Sequence, residues 1–207
     1  MAVHDHSSGR ARPGFPSRRR TPDSATSVAA RDTTRPTAFA TVFAGVRILT
    51  GFIFLWAFLD KTFGWGYATP AGKGWIDGAS PTKGFLSGVA AGPLQSAFHS
   101  IAGDAWVNWL FMLGLLAIGV AVMSGVGLRF AAVGGTIMMA LMWAAEWPPA
   151  QHLSNGEPSM SSNPLIDYHV LYAAILIALA LGHAGRVWGL GRGWERTAIV
   201  RDNNWLS

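Results

Sequence analysis

The sequence contains no cysteine, and only 13% of its 207 residues are charged. Without thiolates the chain cannot form a disulfide framework, a Cys-x-x-Cys redox pair, an iron–sulfur cluster or a c-type haem attachment. Half of the residues are hydrophobic, which is unusual for a water-soluble enzyme. The composition therefore indicates a membrane protein, and any redox chemistry would need a cofactor that is held without thiols.

Four apolar stretches are long enough to cross a bilayer, which takes about 20 residues at about 1.5 Å each. They are residues 38–63, 105–124, 128–147 and 165–188. Polar residues are nearly absent from every face of these stretches, whereas helices of a soluble bundle keep a polar outer face. The sequence predicts an all-α integral membrane four-helix bundle, with residues 37–190 as the transmembrane domain.

Basic residues lie mainly outside the four stretches. Residues 1–36 hold seven arginines and hardly any large apolar side chain, which predicts a disordered tail rather than a signal peptide. Twelve Lys and Arg residues lie on the side of the two termini, and three lie in the opposite connections. The positive-inside rule therefore places both termini in the cytoplasm, including the basic C-terminal tail at 191–207, and we expect a plasma-membrane protein. No aromatic or motif pattern accompanies the arginines, so nucleic-acid binding is not expected.

The connection at residues 64–104 is too long and too apolar for a simple solvated loop. Leu94, Phe98 and Ile101 recur at helical spacing after Pro93, which favours the first turn of a helix. We expect a short helix that lies on the outer interface and caps the bundle. The alternative is a disordered loop.

Small residues recur in the second and third stretches. Small side chains let helix backbones approach closely in lipid, so this pattern predicts helix packing. The residues are Gly114, Ala117, Ala121, Gly134 and Gly135.

Ionisable side chains at membrane depth are unfavourable by about 2.5–3.5 kcal/mol each on insertion scales, which makes them functional candidates. Arg47 and Lys61 are fourteen residues apart in the first stretch, so a helix would place them on one face. Their separation along that helix would be about 21 Å. His169 and His183 have the same spacing in the predicted fourth helix, where Tyr172 would share their face.

An outer cluster is predicted at the ends of the helices, formed by Asp60, Lys61, Glu146, Asp167 and His169. Such a group could hydrogen-bond the carbonyls of a quinone and move its protons. The predicted catalytic residues are Glu146, Asp167 and His169, and the predicted cofactor-binding residues are Arg47, Asp60, Lys61, Tyr172 and His183. The alternative for the cluster is that these charges pair and reach water. For Arg47 and His183 the alternative is an interhelical hydrogen bond or a contact that reaches the membrane surface.

A b-type haem needs two histidines at similar depth on facing helices, and no pair of histidines in the sequence fits. His169 and His183 would lie on one helix, and the other histidines fall in loops or in the tail. Glu146, Asp167 and His169 are suitable metal ligands in type, but no tight spacing supports a metal site. We therefore expect neither haem nor an iron–sulfur cluster nor a metal ion.

Several motifs together resemble the DoxX family of small four-helix membrane proteins. They are Arg47, GFIF at 51–54, Asp60 with Lys61, GFL at 84–86, GPL at 92–94, NPLIDYH at 163–169, HAGR at 183–186 and GLGR at 189–192. The resemblance covers roughly residues 38–196. Because the family includes the large subunit of thiosulfate:quinone oxidoreductase, it implies electron transfer from a sulfur compound to membrane quinone. It also implies a two-subunit assembly.

Three functions stay open at this point. The leading hypothesis is an integral membrane component of a quinone-linked oxidoreductase that works with a second subunit or a soluble redox partner. The first alternative is a non-catalytic membrane scaffold for a soluble oxidoreductase. The second is a small-solute permease, for which no inverted repeat is evident. The pattern leaves open whether the chain is itself catalytic, and it does not define the oligomeric state.

Overall fold

The computed structural model describes Met1 and residues 36–206. The predicted tail at residues 1–36 therefore lies outside the described residues, apart from its two ends. In residues 36–206 the only β pairing is an isolated bridge between His152 and Pro158, so the predicted all-α class is confirmed for this part of the chain. The helices are α1 (Ala38–Phe63), α2 (Lys83–Ser87), α3 (Gln95–Ser100), α4 (Ala105–Ser124), α5 (Leu128–Glu146), α6 (Tyr168–Leu181), α7 (Gly191–Trp194) and α8 (Ala198–Arg201).

Helices α1, α4 and α5 have the length and composition to cross a membrane, and they match the first three predicted stretches to within one residue. Only 28% to 39% of their most apolar windows is buried inside the protein. Large apolar side chains such as Leu49, Phe52, Leu113 and Ile137 face outward instead. A helix that is hydrophobic on all sides belongs in lipid. The structure thus supports a membrane-embedded protein.

The caps of α1 account for its length. Thr37 begins the helix, because its hydroxyl accepts a hydrogen bond from the backbone N–H of Ala40 at 3.2 Å. Gly64 ends it in the left-handed conformation, with φ of 64°. The 26 residues between these caps rise about 39 Å, which exceeds the hydrocarbon thickness of about 30 Å. Asp60 and Lys61 therefore lie close to one end of the apolar stretch.

The predicted fourth helix at 165–188 is wrong in its bounds, because α6 has only 14 residues. Its rise is about 21 Å, which is short of the hydrocarbon thickness of about 30 Å. Asp167 begins α6 by accepting the backbone N–H groups of His169 and Val170. After Gly182 the chain leaves the helix, and His183 takes a left-handed conformation with φ of 49°. His183 therefore does not share a helical face with His169, contrary to the prediction.

The long helices pack in the order α1 on α4, α4 on α5, and α5 on α6, with a smaller contact between α1 and α6. Glycines bring α1 and α4 together. A Cβ atom at Gly51 would lie 2.6 Å from the backbone N of Met123, and one at Gly119 would lie 2.7 Å from the backbone N of Leu55. These two glycines, and not the small residues singled out in the sequence, fix the α1–α4 interface.

The long connection after α1 is folded, and α3 confirms the predicted short helix around Phe98. Leu86, Val89 and Phe98 form a small core with Ala145 near the end of α5. Asn108 of α4 holds the same connection, since its Oδ1 atom accepts hydrogen bonds from the backbone N–H and the hydroxyl of Thr82. The connection is thus fixed to one end of both α4 and α5.

Arg47 is a fully buried charged residue in the middle of α1. Its Nη1 atom donates to the carbonyls of Val122 and Met123, with the first bond at 2.7 Å. Its Nη2 atom donates to the carbonyl of Trp188 at 2.7 Å. Val122 and Met123 lie in the last turn of α4, where carbonyls do not accept the regular hydrogen bonds of the helix interior; Val122 also accepts the backbone N–H of Gly125 at 3.3 Å. Arg47 therefore joins α1, the end of α4 and the segment after α6.

Glycines allow the backbone to approach the Arg47 guanidinium. A Cβ atom at Gly125 would lie 3.0 Å from Nη1, and one at Gly189 would lie 3.1 Å from Nη2. A Cβ atom at Gly185 would meet the carbonyl oxygen of Gly125 at 2.1 Å, so a larger residue there would push the two segments apart. Close backbone approach is what brings the acceptor carbonyls within reach of Arg47.

We expect Arg47→Met to lower the free energy of unfolding by about 3 kcal/mol, because buried carbonyls lose charge-assisted hydrogen bonds. Thermal melting of the purified protein in detergent measures the change. Arg192→Met is the control, since Arg192 is exposed. Equal melting temperatures for the two variants would contradict this role of Arg47.

Candidate functional site

The five residues of the predicted outer cluster do not all lie together in the structure. Glu146, Asp167 and His169 come together where α5 ends and α6 begins. Asp60 and Lys61 are adjacent in sequence, but Asp60 contacts the following loop and Lys61 lines a groove.

Asp60 is a buried carboxylate that organises the chain after α1. Its side chain is 1% exposed. Its Oδ2 atom accepts the backbone N–H of Thr69 at 2.8 Å, and its Oδ1 atom accepts that of Tyr67 at 3.4 Å. Both oxygens are thus engaged with loop backbone. The geometry gives Asp60 a structural contact, and its cofactor-binding role stays a prediction.

A groove of about 830 Å³ runs between α4 and α5. This volume is within the range of about 300–1,000 Å³ that is typical of small-molecule sites. Leu110 of α4 and Phe130, Ile137 and Leu141 of α5 line the groove and are more than half exposed. The groove therefore opens on the apolar outer surface of the helices, where lipid would lie.

Small residues create the space in this groove. Gly114, Ala117 and Ala121 of α4 line one wall, and Gly134 of α5 lines the other. A Cβ atom at Gly134 would have no heavy atom within 4 Å. The prediction of close helix packing is wrong for Gly134, but it is confirmed for Gly114, where a Cβ atom would lie 2.5 Å from Cε of Met138 in α5. It is right for Gly135, where a Cβ atom would lie 2.4 Å from Leu176 of α6.

Lys61 is the charged member of the groove lining among the residues that the structure describes. Its side chain is half-buried, and within residues 36–206 it makes no ion pair and no side-chain hydrogen bond. Thr82 is the neighbouring polar group, but its hydroxyl already donates to Asn108. The ammonium of Lys61 is therefore available to a ligand at this end of the groove.

The cluster between α5 and α6 contains two carboxylates and one imidazole. One donor atom from each of Glu146, Asp167 and His169 lies within 4.8 Å of the others. The Nδ1 atom of His169 is 2.8 Å from Oδ2 of Asp167. The Oδ1 atom of Asp167 accepts the backbone N–H groups of His169 and Val170. The Asp167 carboxylate is thus held both by the start of α6 and by the imidazole.

His169 is the most enclosed member of this cluster. Its side chain is 1% exposed, and its Nε2 atom is buried without a hydrogen-bond partner. Such a ring can offer a lone pair or a proton, so it could ligate a metal ion or exchange protons. The proton-transfer roles of Glu146, Asp167 and His169 stay predictions.

Tyr168 was not among the predicted site residues. Its hydroxyl donates to Oε1 of Glu146 at 2.6 Å and so fixes that carboxylate. No local pattern could have paired these residues, because they are 22 positions apart and meet only when α5 packs on α6. The sequence signal that could have pointed to Tyr168 is its position directly after Asp167, the residue that begins α6.

Of the remaining predicted residues, Tyr172 adjoins the cluster through its ring contact with Tyr168, at 6.2 Å between ring centroids. Tyr172 packs its ring against Phe54 of α1, at 6.2 Å between ring centroids. His183 lies 3.9 Å from a carboxylate oxygen of Glu195, which also pairs with Arg186. Arg47 of α1 donates hydrogen bonds to the backbone carbonyls of Val122 and Met123 in α4, so the interhelical hydrogen bond considered as the alternative is confirmed for Arg47. Their cofactor-binding roles stay predictions.

No protein-family model, curated protein or solved structure matches this chain. The resemblance to the DoxX family therefore remains a prediction from the motifs.

Proposed function

We propose that this chain is an integral membrane protein that binds a quinone in the groove between α4 and α5, as a component of a quinone-linked oxidoreductase. The observation that carries the proposal is the unpaired Lys61 at an apolar groove of about 830 Å³. A membrane quinone combines a long apolar tail with two carbonyl acceptors. Its tail is compatible with the apolar walls, and its head group with the ammonium.

The polar end of the groove defines the orientation of the ligand. Lys61, Thr82 and Phe85 line this end, whereas Gly127 and Phe130 line the end near the α4–α5 turn. The ammonium of Lys61 would donate a hydrogen bond to a quinone carbonyl and stabilise the negative charge that develops on reduction. This stabilisation is stronger where apolar walls exclude water.

The chain has no thiol, and no pair of its histidines is predicted to ligate a haem that could carry electrons to the quinone. We propose that a second subunit or a soluble redox partner delivers them. The DoxX-like motifs favour a sulfur compound such as thiosulfate as the ultimate donor. Under this proposal the chain binds and orients the acceptor, while its partner oxidises the donor.

Filling the groove should block quinone binding. Gly134→Leu places a side chain in open groove space and should weaken the binding of decylubiquinone at least tenfold, because the leucine occupies the tail path. Titration of the purified protein in detergent, followed by tryptophan fluorescence, measures the affinity, since Trp106 lines the groove.

The matched control for this variant is Gly45→Leu. Gly45 is a glycine of α1 that also has no heavy atom within 4 Å of an added Cβ atom, and it does not line the groove. It should bind decylubiquinone as the wild type does. Equal affinities for Gly134→Leu and wild type would contradict the groove as the quinone site.

Removing the Lys61 charge should weaken binding by about tenfold, which corresponds to the loss of one charge-assisted hydrogen bond of about 1.5 kcal/mol. Lys61→Met keeps the length of the side chain and its apolar contacts. The control is Lys73→Met, since Lys73 is exposed in the connection between α1 and α2. The same titration compares the two variants, and unchanged affinity in Lys61→Met would remove Lys61 from the site.

We further propose that α6 is the fourth member of a membrane four-helix bundle in the plasma membrane, with both termini cytoplasmic. Its packing on α5, its contact with α1 and its exposed Leu171, Ile177 and Leu181 support this arrangement. The excess of Lys and Arg on the side of the termini supports the orientation. Leu165 and Ile166, which precede α6, are also exposed apolar residues.

The orientation can be tested by thiol labelling, because the chain has no cysteine of its own. Ala71→Cys and Asp202→Cys place single thiols at exposed positions near opposite ends of the bundle. In intact cells a membrane-impermeant maleimide should label Ala71→Cys and not Asp202→Cys. In permeabilised cells the same reagent should label both variants. The reverse pattern in intact cells would contradict the orientation.

A further inference from the structure

The segment that follows α6 folds back on one end of the long helices. The backbone N–H of Leu190 donates to the carbonyl of Ser124 at 2.8 Å, where α4 ends. The ring centroids of Trp205 and Phe130 are 5.6 Å apart, and Phe130 lies in the first turn of α5. Residues 186–206 are thus held beside the ends of two helices that have the length and composition to cross a membrane.

Large apolar side chains of this segment face outward. Trp188, Leu190, Ile199 and Trp205 are each more than half exposed. Apolar side chains gain free energy on leaving water, and tryptophan rings are enriched where a bilayer meets water. Phe130, which contacts Trp205, is also more than half exposed on the apolar outer surface of α5. The segment is therefore suited to the level of the lipid head groups.

The same segment carries an excess of positive charge. It contains four arginines and two carboxylates, and Arg186 pairs with Glu195 at 2.8 Å. The other carboxylate, Asp202, is exposed. Three exposed arginines form no ion pair and no side-chain hydrogen bond in the part of the chain that the structure describes: Arg192, Arg196 and Arg201. Their guanidinium groups are therefore available to anions.

Arg129 adds a further positive charge beside this segment. It lies in the first turn of α5 and lines a small cavity together with Arg186, Gly191 and Trp194. Its Nε atom is buried without a hydrogen-bond partner, and Arg129 makes no ion pair within residues 36–206. The helix dipole disfavours a positive charge at the start of a helix. An anion at this end of the protein would therefore stabilise Arg129.

We propose that residues 186–206 and Arg129 form a docking surface for anionic phospholipids in the leaflet beside this end of the helices. The exposed tryptophans enter the head-group region, and the arginines pair with lipid phosphates, which guanidinium groups bind through paired hydrogen bonds. An anionic lipid fits this surface better than a zwitterionic one, because the choline of the latter already balances its phosphate. Basic residues next to a membrane span are attracted to anionic leaflets in this way. The proposal rests on the embedding of the helices in a membrane and not on the binding of a quinone.

The test measures which lipid contacts this surface. Ile199→Cys provides a single attachment point for a bimane fluorophore, because the chain has no cysteine of its own and Ile199 is exposed. The full-length protein is reconstituted in liposomes of equal parts phosphatidylcholine and phosphatidylglycerol, with bromine on the acyl chains of either one lipid or the other. We expect brominated phosphatidylglycerol to quench the bimane about twofold more than brominated phosphatidylcholine, because the arginines enrich the anionic lipid. The difference should shrink in about 1 M NaCl, where charges are screened beyond about 3 Å.

Arg192→Gln/Arg196→Gln, added to Ile199→Cys, should bring the quenching ratio of the two lipids close to one. Both arginines are exposed, so this variant should fold, and its melting temperature checks that it does. The control is Lys73→Gln/Lys83→Gln, which removes two exposed positive charges from the connection between α1 and α4 and should keep the ratio.

Three results would overturn the proposal. They are the absence of quenching by either lipid, equal quenching by both lipids when the arginines are present, and an unchanged ratio in Arg192→Gln/Arg196→Gln. The seven arginines of residues 1–36 are present in every variant, so a lipid preference that came from them would give the third result. The variants leave Lys61 and Gly134 unchanged, so failure of this surface is distinguishable from failure of the proposed quinone site.

Discussion

The buried guanidinium of Arg47 is the interaction on which the arrangement of the helices depends. A charge inside an apolar helix needs partners within the protein, and the two Nη atoms of Arg47 donate to carbonyls of Val122, Met123 and Trp188, while its Nε atom is buried without a partner. The end of α4 is thereby held against α1, where Gly51 and Gly119 allow close contact. Since α4 packs more extensively on α1 than on α5, space remains on the α5 side of α4. The hydrogen bonds of Arg47 thus stabilise the α1–α4 interface, and the α4–α5 interface keeps room for a ligand.

The apolar stretches predicted α1, α4 and α5 well, because length and hydropathy are local properties of the chain. The bounds of α6 were not predictable in this way. Its start depends on the Asp167 cap, and its end lies where Gly182 meets Phe43 of α1. Small residues were ambiguous for a similar reason. Gly135 faces a neighbouring helix and packs, whereas Gly134 faces open space, and only the tertiary arrangement distinguishes them. The Tyr168–Glu146 contact likewise arises only when α5 and α6 pack together.

The groove and the carboxylate–imidazole cluster of Glu146, Asp167 and His169 lie at the same end of the protein. Leu86 and Phe98 of the folded connection line the groove, and they also pack on Ala145, next to Glu146. The apolar groove with Lys61 suits an amphipathic acceptor. The connection after α1 therefore contributes to the walls of the groove and supports the helix end that carries Glu146. Its attachment through Asp60 and Asn108 links the geometry of both sites to the ends of α1 and α4.

Photoaffinity labelling tests whether a quinone occupies the groove between α4 and α5. The full-length protein in detergent is irradiated with an azidoquinone, digested and mapped by mass spectrometry. The account requires label on peptides of α4 and α5 that line the groove, and an excess of unlabelled quinone should suppress it. Label confined to α6 or the termini, or label that unlabelled quinone fails to suppress, would contradict the account.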